Sequence, residues 1–205
     1  MPSTLLKISP NLRIKVLILL VFLTGVSCSS KDEPPINDGD VVEPLQYVEL
    51  PVRSDAIPET TTGIPHQQID VDLVPEVNDE MFRRVYSLPG VENRASVVAP
   101  WQALWLTEDL NIGVPDAIIG DREFAHIHAD GSLHIFLEPD RALAAIEAGW
   151  AVLHPFAVQR LDGYDGFIML YTPQSIDELN ITFQLIVDGY NYVTVQRILA
   201  TDYYN

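Results

Sequence analysis

Residues 123–137 have the pattern of a tight β-hairpin, and this feature limits the possible folds more than any other part of the chain. Two runs of aromatic, aliphatic and histidine residues, 123–128 and 132–137, flank the turn-forming pair Asp130-Gly131. An isolated hairpin is only marginally stable in water, so it requires further strands and a helical layer to bury one face. The chain therefore has to build a domain around this hairpin.

Helical and strand-like patterns surround the hairpin in the sequence. Apolar residues at helical spacing in 77–88, a segment opened by Pro139 and ended by Gly149, and a capping box of Ser175 and Glu178 predict three helices. Short apolar pieces follow one another at 95–99, 103–106, 150–154 and 167–171. Together they predict one α+β domain over residues 76–205, with a mainly antiparallel sheet and helices packed on one face.

Strand alternation divides the side chains of the predicted sheet between two faces. One face is aliphatic and belongs under the helices. The other face collects aromatic rings, imidazoles and a methionine, a composition that is common in half-covered ligand clefts. The residues assigned to this candidate ligand face are Phe124, His126, His128, His134, Phe136, Met169 and Tyr171.

Whether His134 shares a face with His126 depends on the turn. A three-residue loop, 129–131, with Gly131 in the left-handed conformation places His126 opposite His134. A two-residue loop of Asp130 and Gly131 shifts the pairing so that Ile127 faces His134, whose ring then points away from the other two histidines. We favour the three-residue loop.

Three histidines on one face could hold a metal ion. His126, His128 and His134 have a spacing that suits zinc, copper or iron with one position open for water or substrate. The alternative is that these imidazoles are hydrogen-bonded to one another, to Tyr171 or to water, and only line a pocket. Both interpretations stay open at the level of the sequence.

The sequence contains few other candidates for catalytic residues. Glu123 and Asp121 could act as acids or bases near the hairpin, whereas Asp130 is explained as a turn former. His154, directly before a proline, is interpreted as a strand-end packing residue, and His66 receives no role. The sequence has no nucleophile elbow, phosphate loop, dinucleotide fingerprint or His-Glu-x-x-His motif, and the identity of any cofactor stays open.

The first 28 residues have the layout of an export signal. Three basic residues precede the apolar run 16–26, which is too short to span a bilayer and ends in small residues directly before Cys28. This layout resembles a bacterial lipoprotein signal, in which the cysteine is lipidated after cleavage. It predicts a signal peptide over residues 1–27 and a membrane anchor on Cys28. The alternatives are an uncleaved anchor and a secreted chain with a spare thiol.

The residues after the cysteine bear on the location of the protein. Lys31 followed by two acids resembles the surface-export signal of lipoproteins from the Bacteroidota, and no Asp adjoins Cys28 to favour retention in the inner membrane. We therefore expect an outer-membrane lipoprotein of the cell envelope, on either the periplasmic or the outer surface.

Charge and proline content distinguish residues 29–75 from the rest of the chain. The chain has 29 acidic against 12 basic residues and a net charge of -17, which argues against nucleic acid as a partner. Seven of the 15 prolines and ten acids fall in residues 29–75, so that 28–75 is predicted to be an acidic, extended tether. Residues 45–52 alternate enough to lie against the domain as an edge strand.

Cys28 is the single cysteine, which excludes an internal disulfide and a cysteine metal cluster.

Several segments of the domain occur in the same order in one known family. They are EFAHIH at 123–128, DGSLH at 130–134, GW at 149–150, HP at 154–155 and LYTP at 170–173. These segments resemble the luciferase or luciferase-like domain of bacteria and fungi over about residues 82–192, although Ala129 stands where the family often has Pro. The family name implies an oxygen-dependent, light-emitting oxidation.

Three functions are compatible with these features. The first is a lipid-anchored module that binds a small, partly apolar ligand on the aromatic and histidine face. The second is a luciferase-like oxidoreductase that uses a metal at His126, His128 and His134. The third is a lipoprotein that meets a protein partner. We favour ligand binding, because no set of nucleophile, base and orienting group is evident.

Overall fold

Six strands and four α-helices make up the part of the chain described by the computed structural model, residues 44–205. The predicted signal peptide, Cys28 and the first part of the predicted tether lie outside the described residues. Residues 44–205 belong to one compact unit. In chain order the elements are α1 (Pro75–Val85), β1 (Val91–Ala95), β2 (Gln102–Leu106), β3 (Glu123–Ile127), β4 (Leu133–Phe136), α2 (Pro139–Glu147), β5 (Ala151–Leu153), α3 (Pro155–Val158), β6 (Phe167–Leu170) and α4 (Ile176–Thr194).

The strands form one sheet in the order β1-β2-β3-β4-β6-β5, and every neighbouring pair is antiparallel. The prediction of an α+β domain with an antiparallel sheet is therefore confirmed. The polar strand β1 was not anticipated, because only Val91 of its five residues is buried and no alternation marks it. The apolar piece 95–99 lies mainly in the loop between β1 and β2 rather than in a strand.

The longest helix, α4, covers the aliphatic side of the sheet and contacts both β4 and α1. It begins at the predicted capping box, where Ser175 Oγ accepts a hydrogen bond from the backbone N–H of Glu178 at 3.2 Å. Gly189 of α4 lies so close to β4 that an added Cβ would stand 2.8 Å from the carbonyl oxygen of Phe136. The missing side chain lets the helix pack directly on the strand backbone.

The β3–β4 turn has the three-residue form that we favoured. Gly131 has a φ of +86°, and the backbone N–H of His128 donates to the carbonyl of Ser132 at 2.7 Å. His126 is consequently paired with His134 across the two strands. The predicted register is confirmed, and the three hairpin histidines share one face of the sheet.

A β-bulge interrupts the alternation at the start of β3. Leu104 pairs with Ala125 and Trp105 with Glu123, so that Phe124 is an extra residue without a partner in β2. The ring of Phe124 packs against Tyr190 of α4, with 6.1 Å between ring centroids. The assignment of Phe124 to the histidine face was therefore wrong, because strict alternation takes no account of a bulge.

Residues 44–74, assigned from their composition to a tether, lie along the domain. The backbone N–H of Arg53 donates to the carbonyl of Ala148 at 2.8 Å, and the indole N–H of Trp150 donates to the carbonyl of Pro51 at 2.6 Å. No strand forms over residues 45–52, so the expected edge strand is replaced by an irregular segment held through single hydrogen bonds. Within residues 44–205, no helix is both long enough and apolar enough to cross a membrane.

Candidate functional site

All five histidines of the chain meet on the face of the sheet opposite α4. His134 of β4 is at the centre. Its Nδ1 atom lies 3.1 Å from Nε2 of His126 and 3.3 Å from Nε2 of His128, and its Nε2 atom lies 3.1 Å from Nδ1 of His66. The ring of His154 stands edge-on to His134 at 4.7 Å between centroids. Each of the five residues is at most 5% exposed, so the cluster is a buried polar group.

Glu123 holds the ring of His126 through a hydrogen bond of 2.9 Å between Oε1 and Nδ1. The bulge at the start of β3 makes this possible, because it turns Glu123 to the histidine face. The same carboxylate accepts from Ser96 Oγ at 2.8 Å and from the backbone N–H of Val97 at 2.7 Å. Glu123 is completely buried, and three donors satisfy it.

Ser132 and Asp130 determine which nitrogen of His128 carries its proton. The hydroxyl of Ser132 donates to Oδ1 of Asp130 at 2.7 Å, which uses its one proton. The hydroxyl oxygen therefore accepts from Nδ1 of His128, 2.9 Å away. In the neutral imidazole, Nε2 of His128 is then left with a lone pair that points toward His134. The turn residue Asp130 thus also orients a histidine through Ser132.

Two histidines reach the cluster from outside the hairpin. His154 is the N-cap of α3, where its Nδ1 accepts from the backbone N–H of Phe156 at 3.2 Å. His66 is carried by residues 60–68, a loop closed by the bridge between Thr60 and Gln68. The amide of Gln68 fixes this loop on the domain through two hydrogen bonds to Thr172, at 2.6 and 3.1 Å.

Burial keeps several of these imidazoles neutral at neutral pH. Desolvation, followed by repulsion from neighbouring imidazoles, lowers the pKa of His128 to about 3 and that of His154 to about 4. The pKa of His134 is lowered further for the same two reasons, and desolvation also lowers the pKa of His66. Neutral imidazoles have a free lone pair, so the cluster can accept hydrogen bonds or bind a cation.

A cavity of about 500 Å³ opens beside the cluster. His66, His126, His134 and His154 form its polar wall. The remaining wall is mainly apolar and aromatic, and it includes Ile64, Trp101, Ile119, Phe136, Phe156 and Phe167. An apolar chamber with a few converging polar groups has the usual composition of a small-molecule site.

The structure places the other residues predicted for the ligand face in different parts of the domain. Phe136 lines the cavity and stacks on Phe167 at 4.4 Å between centroids. Met169 lies beside the hairpin, with Sδ 3.7 Å from Ser132 Oγ. Tyr171 follows the end of β6, and its ring centroid lies 5.7 Å from Cζ of Arg53, which is ion-paired with Glu178 of α4. Tyr171 is not part of the cavity wall. Its assignment to the histidine face is therefore corrected.

Sequence reasoning missed two residues of the cluster, His66 and His154, and gave no role to Ser132, which contacts His128. Trp101 also lines the cavity, and its ring lies 4.5 Å from that of His128. For His154, a weak signal was present, since a residue before a helix-starting proline is often an N-cap. Nothing local marks His66, which is 68 residues away in the sequence from its hydrogen-bond partner His134.

The fold and site define an antiparallel α+β domain with a histidine-walled cavity. The model of the Luciferase domain family matches residues 121–187, which include the hairpin, α2, β5, β6 and most of α4. This match supports the resemblance to the luciferase-like family and a luciferase-like domain over these residues. No curated protein matches the chain. No solved structure matches it either.

Proposed function

We propose that this chain is a lipid-anchored, exported protein whose luciferase-like domain binds a small, partly apolar ligand in the cavity beside the histidines. The observation that carries this proposal is the division of the cavity wall. Aromatic and aliphatic side chains form most of it, while four buried imidazoles converge on one side. Such a wall suits a ligand with an apolar body and a polar group that meets the histidines.

The entrance of the cavity supports an apolar ligand body. Ile64 and Val98 both line the cavity, and they are 62% and 59% exposed. Exposed aliphatic side chains at a cavity mouth lose contact with water when an apolar ligand covers them, which favours binding. The volume of about 500 Å³ is within the usual range for sites that enclose small organic molecules.

A fluorescent probe tests the cavity directly. The probe is 8-anilinonaphthalene-1-sulfonate, which has an apolar aromatic body and one anionic group, and the protein is the chain from residue 29 onward. We expect saturable binding at one site per chain, and we expect Ala99→Phe to weaken it at least about tenfold because Ala99 lines the cavity. The matched control is Ala56→Phe at an exposed position. Equal binding by both variants and the unchanged protein would contradict the proposed ligand site.

A second candidate function is a luciferase-like oxidoreductase. It is favoured by the position of the five-histidine cluster, with a buried carboxylate behind it, at the polar side of the cavity. The ligand extracted from native protein and identified by mass spectrometry is the appropriate substrate for testing it. Oxygen uptake with that ligand, lost in His126→Ala/His128→Ala, would support an enzyme, whereas no uptake leaves ligand binding as the function.

Replacement of the cysteine tests the lipid anchor. We expect labelled fatty acid to be incorporated at Cys28 in the native host and the protein to fractionate with the outer membrane. Cys28→Ala should abolish the label and release the protein from that fraction, with Ser29→Ala as the control. Absence of label at Cys28 in the native host would contradict the anchor while leaving the ligand site unaffected.

A further inference from the structure

The protons of the histidine cluster cannot satisfy all of its nitrogen atoms. The Glu123 carboxylate accepts the Nδ1 proton of His126, and Ser132 accepts that of His128. An imidazole with its proton on Nδ1 has a lone pair on Nε2. Both lone pairs are directed at one atom, Nδ1 of His134, at 3.1 and 3.3 Å. One proton on that atom can serve only one of them well, so the other would remain buried without a donor.

A metal ion satisfies all three nitrogens at once. Three nitrogens bound tetrahedrally to Zn²⁺ at about 2.0–2.1 Å are separated from one another by about 3.3 Å. The two separations from Nδ1 of His134 are 3.1 and 3.3 Å, and all three candidate ligand atoms lie within 4.8 Å of one another. The side chains already have the spacing of a three-histidine metal site.

The outer nitrogen of each ring is also held in place. Glu123 contacts Nδ1 of His126, Ser132 contacts Nδ1 of His128, and Nε2 of His134 lies 3.1 Å from Nδ1 of His66. Metal-binding histidines usually have such partners, which fix the tautomer and the orientation of the ring. The buried carboxylate of Glu123 additionally offsets the charge of a cation.

A second, overlapping group of histidines fits a metal less well. His66, His134 and His154 also have ring nitrogens within 4.8 Å of one another. However, the lone pair on Nδ1 of His154 accepts the backbone N–H of Phe156. The neutral ring then has its proton on Nε2 and no second lone pair for a metal. His154 thus caps the N-terminus of α3 and lines the cavity.

We propose that His126, His128 and His134 bind one divalent transition-metal ion through Nε2, Nε2 and Nδ1, with a fourth position turned to the cavity. Three imidazole nitrogen ligands favour Zn²⁺ and its neighbours in the first transition row over Mg²⁺ or Ca²⁺, which prefer oxygen ligands. His126 and His134 both line the cavity, so water or the polar group of a ligand can take the fourth position. This metal site rests on the proposed ligand site, because the metal ion would be the group that the polar part of the ligand meets.

Cobalt binding tests the metal site without any knowledge of the ligand. The protein is the chain from residue 29 onward, purified without a polyhistidine tag and treated with a chelator. We expect one Co²⁺ per chain with the visible absorption of four-coordinate cobalt, and displacement of Co²⁺ by Zn²⁺. X-ray absorption of the Zn²⁺ form should show imidazole nitrogens at about 2.0–2.1 Å. A protein that takes up no Co²⁺, or whose Zn²⁺ lacks imidazole ligands, would overturn the proposal.

Variants distinguish the two groups of histidines. His126→Ala/His128→Ala should weaken Co²⁺ binding more than about 100-fold, since loss of an outer-shell partner alone typically costs 10–100-fold. His154→Ala should keep one Co²⁺ per chain. The reverse pattern, with binding lost in His154→Ala and kept in the double variant, would overturn the assignment. If circular dichroism shows that the double variant is unfolded, the X-ray absorption of the Zn²⁺ form of the unchanged protein decides whether histidines bind the metal.

Measurements on the same variants test the metal site and the ligand site independently. Ala99→Phe should lose the fluorescent probe and keep Co²⁺, because Ala99 lines the cavity and is not a metal ligand. If the unchanged protein binds the probe but no Co²⁺, the metal site is wrong and the ligand site remains. If it binds Co²⁺ but no probe, the ligand site is wrong and the metal site remains.

Discussion

Nδ1 of His126 lies 2.9 Å from Oε1 of Glu123, although the two residues are three positions apart in the same strand. In a regular strand, residues at i and i+3 point to opposite faces of the sheet. The bulge at Phe124 adds one residue between them and turns Glu123 to the histidine face. One irregular position thus sends an aromatic ring into the core and supplies a carboxylate to the cluster.

Glu123→Gln should affect both stability and metal binding. An amide has only one acceptor oxygen, so it cannot accept the three hydrogen bonds that the Glu123 carboxylate now accepts. We expect the free energy of unfolding of the metal-free protein to fall by about 1–3 kcal/mol in urea titrations. Co²⁺ affinity should fall about 10–100-fold. The control is Glu108→Gln at an exposed position, and equal effects in both variants would contradict this role.

Gly189→Ala should destabilise the domain although alanine favours helices. The added methyl group would stand 2.8 Å from the carbonyl oxygen of Phe136 and 2.6 Å from Cδ1 of Ile135. Crowding of this kind costs about 1–3 kcal/mol, which exceeds the gain of about 1 kcal/mol in helix propensity. Thermal or urea unfolding measures the difference. Gly63→Ala, with open space at its Cβ position, is the control and should change stability by less than about 0.5 kcal/mol.

Asp188→Asn should be strongly destabilising. Asp188 accepts a hydrogen bond of 2.7 Å from Nε of Arg141, and both side chains are at most 5% exposed. The substitution leaves the guanidinium buried without its counter-charge, for which we expect a loss of about 3 kcal/mol in unfolding free energy. Glu92→Gln breaks the exposed pair with Arg94 and serves as the control, with a change below about 1 kcal/mol. Similar losses in the two variants would contradict the argument from burial.

Glu80 should contribute to the acid sensitivity of the protein. Hydrogen bonds from Arg83 and then from Arg84 hold the pKa of Glu80 at about 2, against an ordinary value of 4.5. A lowered pKa in the folded state means that this stabilisation is present above pH 4.5 and is lost as the pH falls toward 2. Because Glu80 is partly exposed, we expect Glu80→Gln to cost at most about 1 kcal/mol at neutral pH.

Urea titrations of both proteins over this pH range measure the effect. The difference in unfolding free energy between Glu80→Gln and the unchanged protein should shrink as the pH is lowered from 4.5 to about 2. A difference that stays constant or grows on acidification would contradict the sign of the linkage.

Local patterns predicted much of the fold. The capping box located the start of α4, and the left-handed Gly131 determined the hairpin register that brings His126 and His134 together. Both are short-range effects, in which a side chain or a φ angle acts on neighbouring backbone. The polar strand β1 was missed because its place in the sheet depends on pairing with β2 and not on an alternation of its own.

The sequence by itself determined the hairpin and favoured the three-residue turn that places three histidines on one face, because a strand period of two and a glycine turn are local properties. Only the tertiary structure decided that His66 and His154 complete the cluster and that Phe124 leaves it. His66 arrives on a loop fixed by Gln68 and Thr172, 104 residues apart in the chain. Such contacts form when distant segments pack on one sheet, and no local propensity of either segment encodes them.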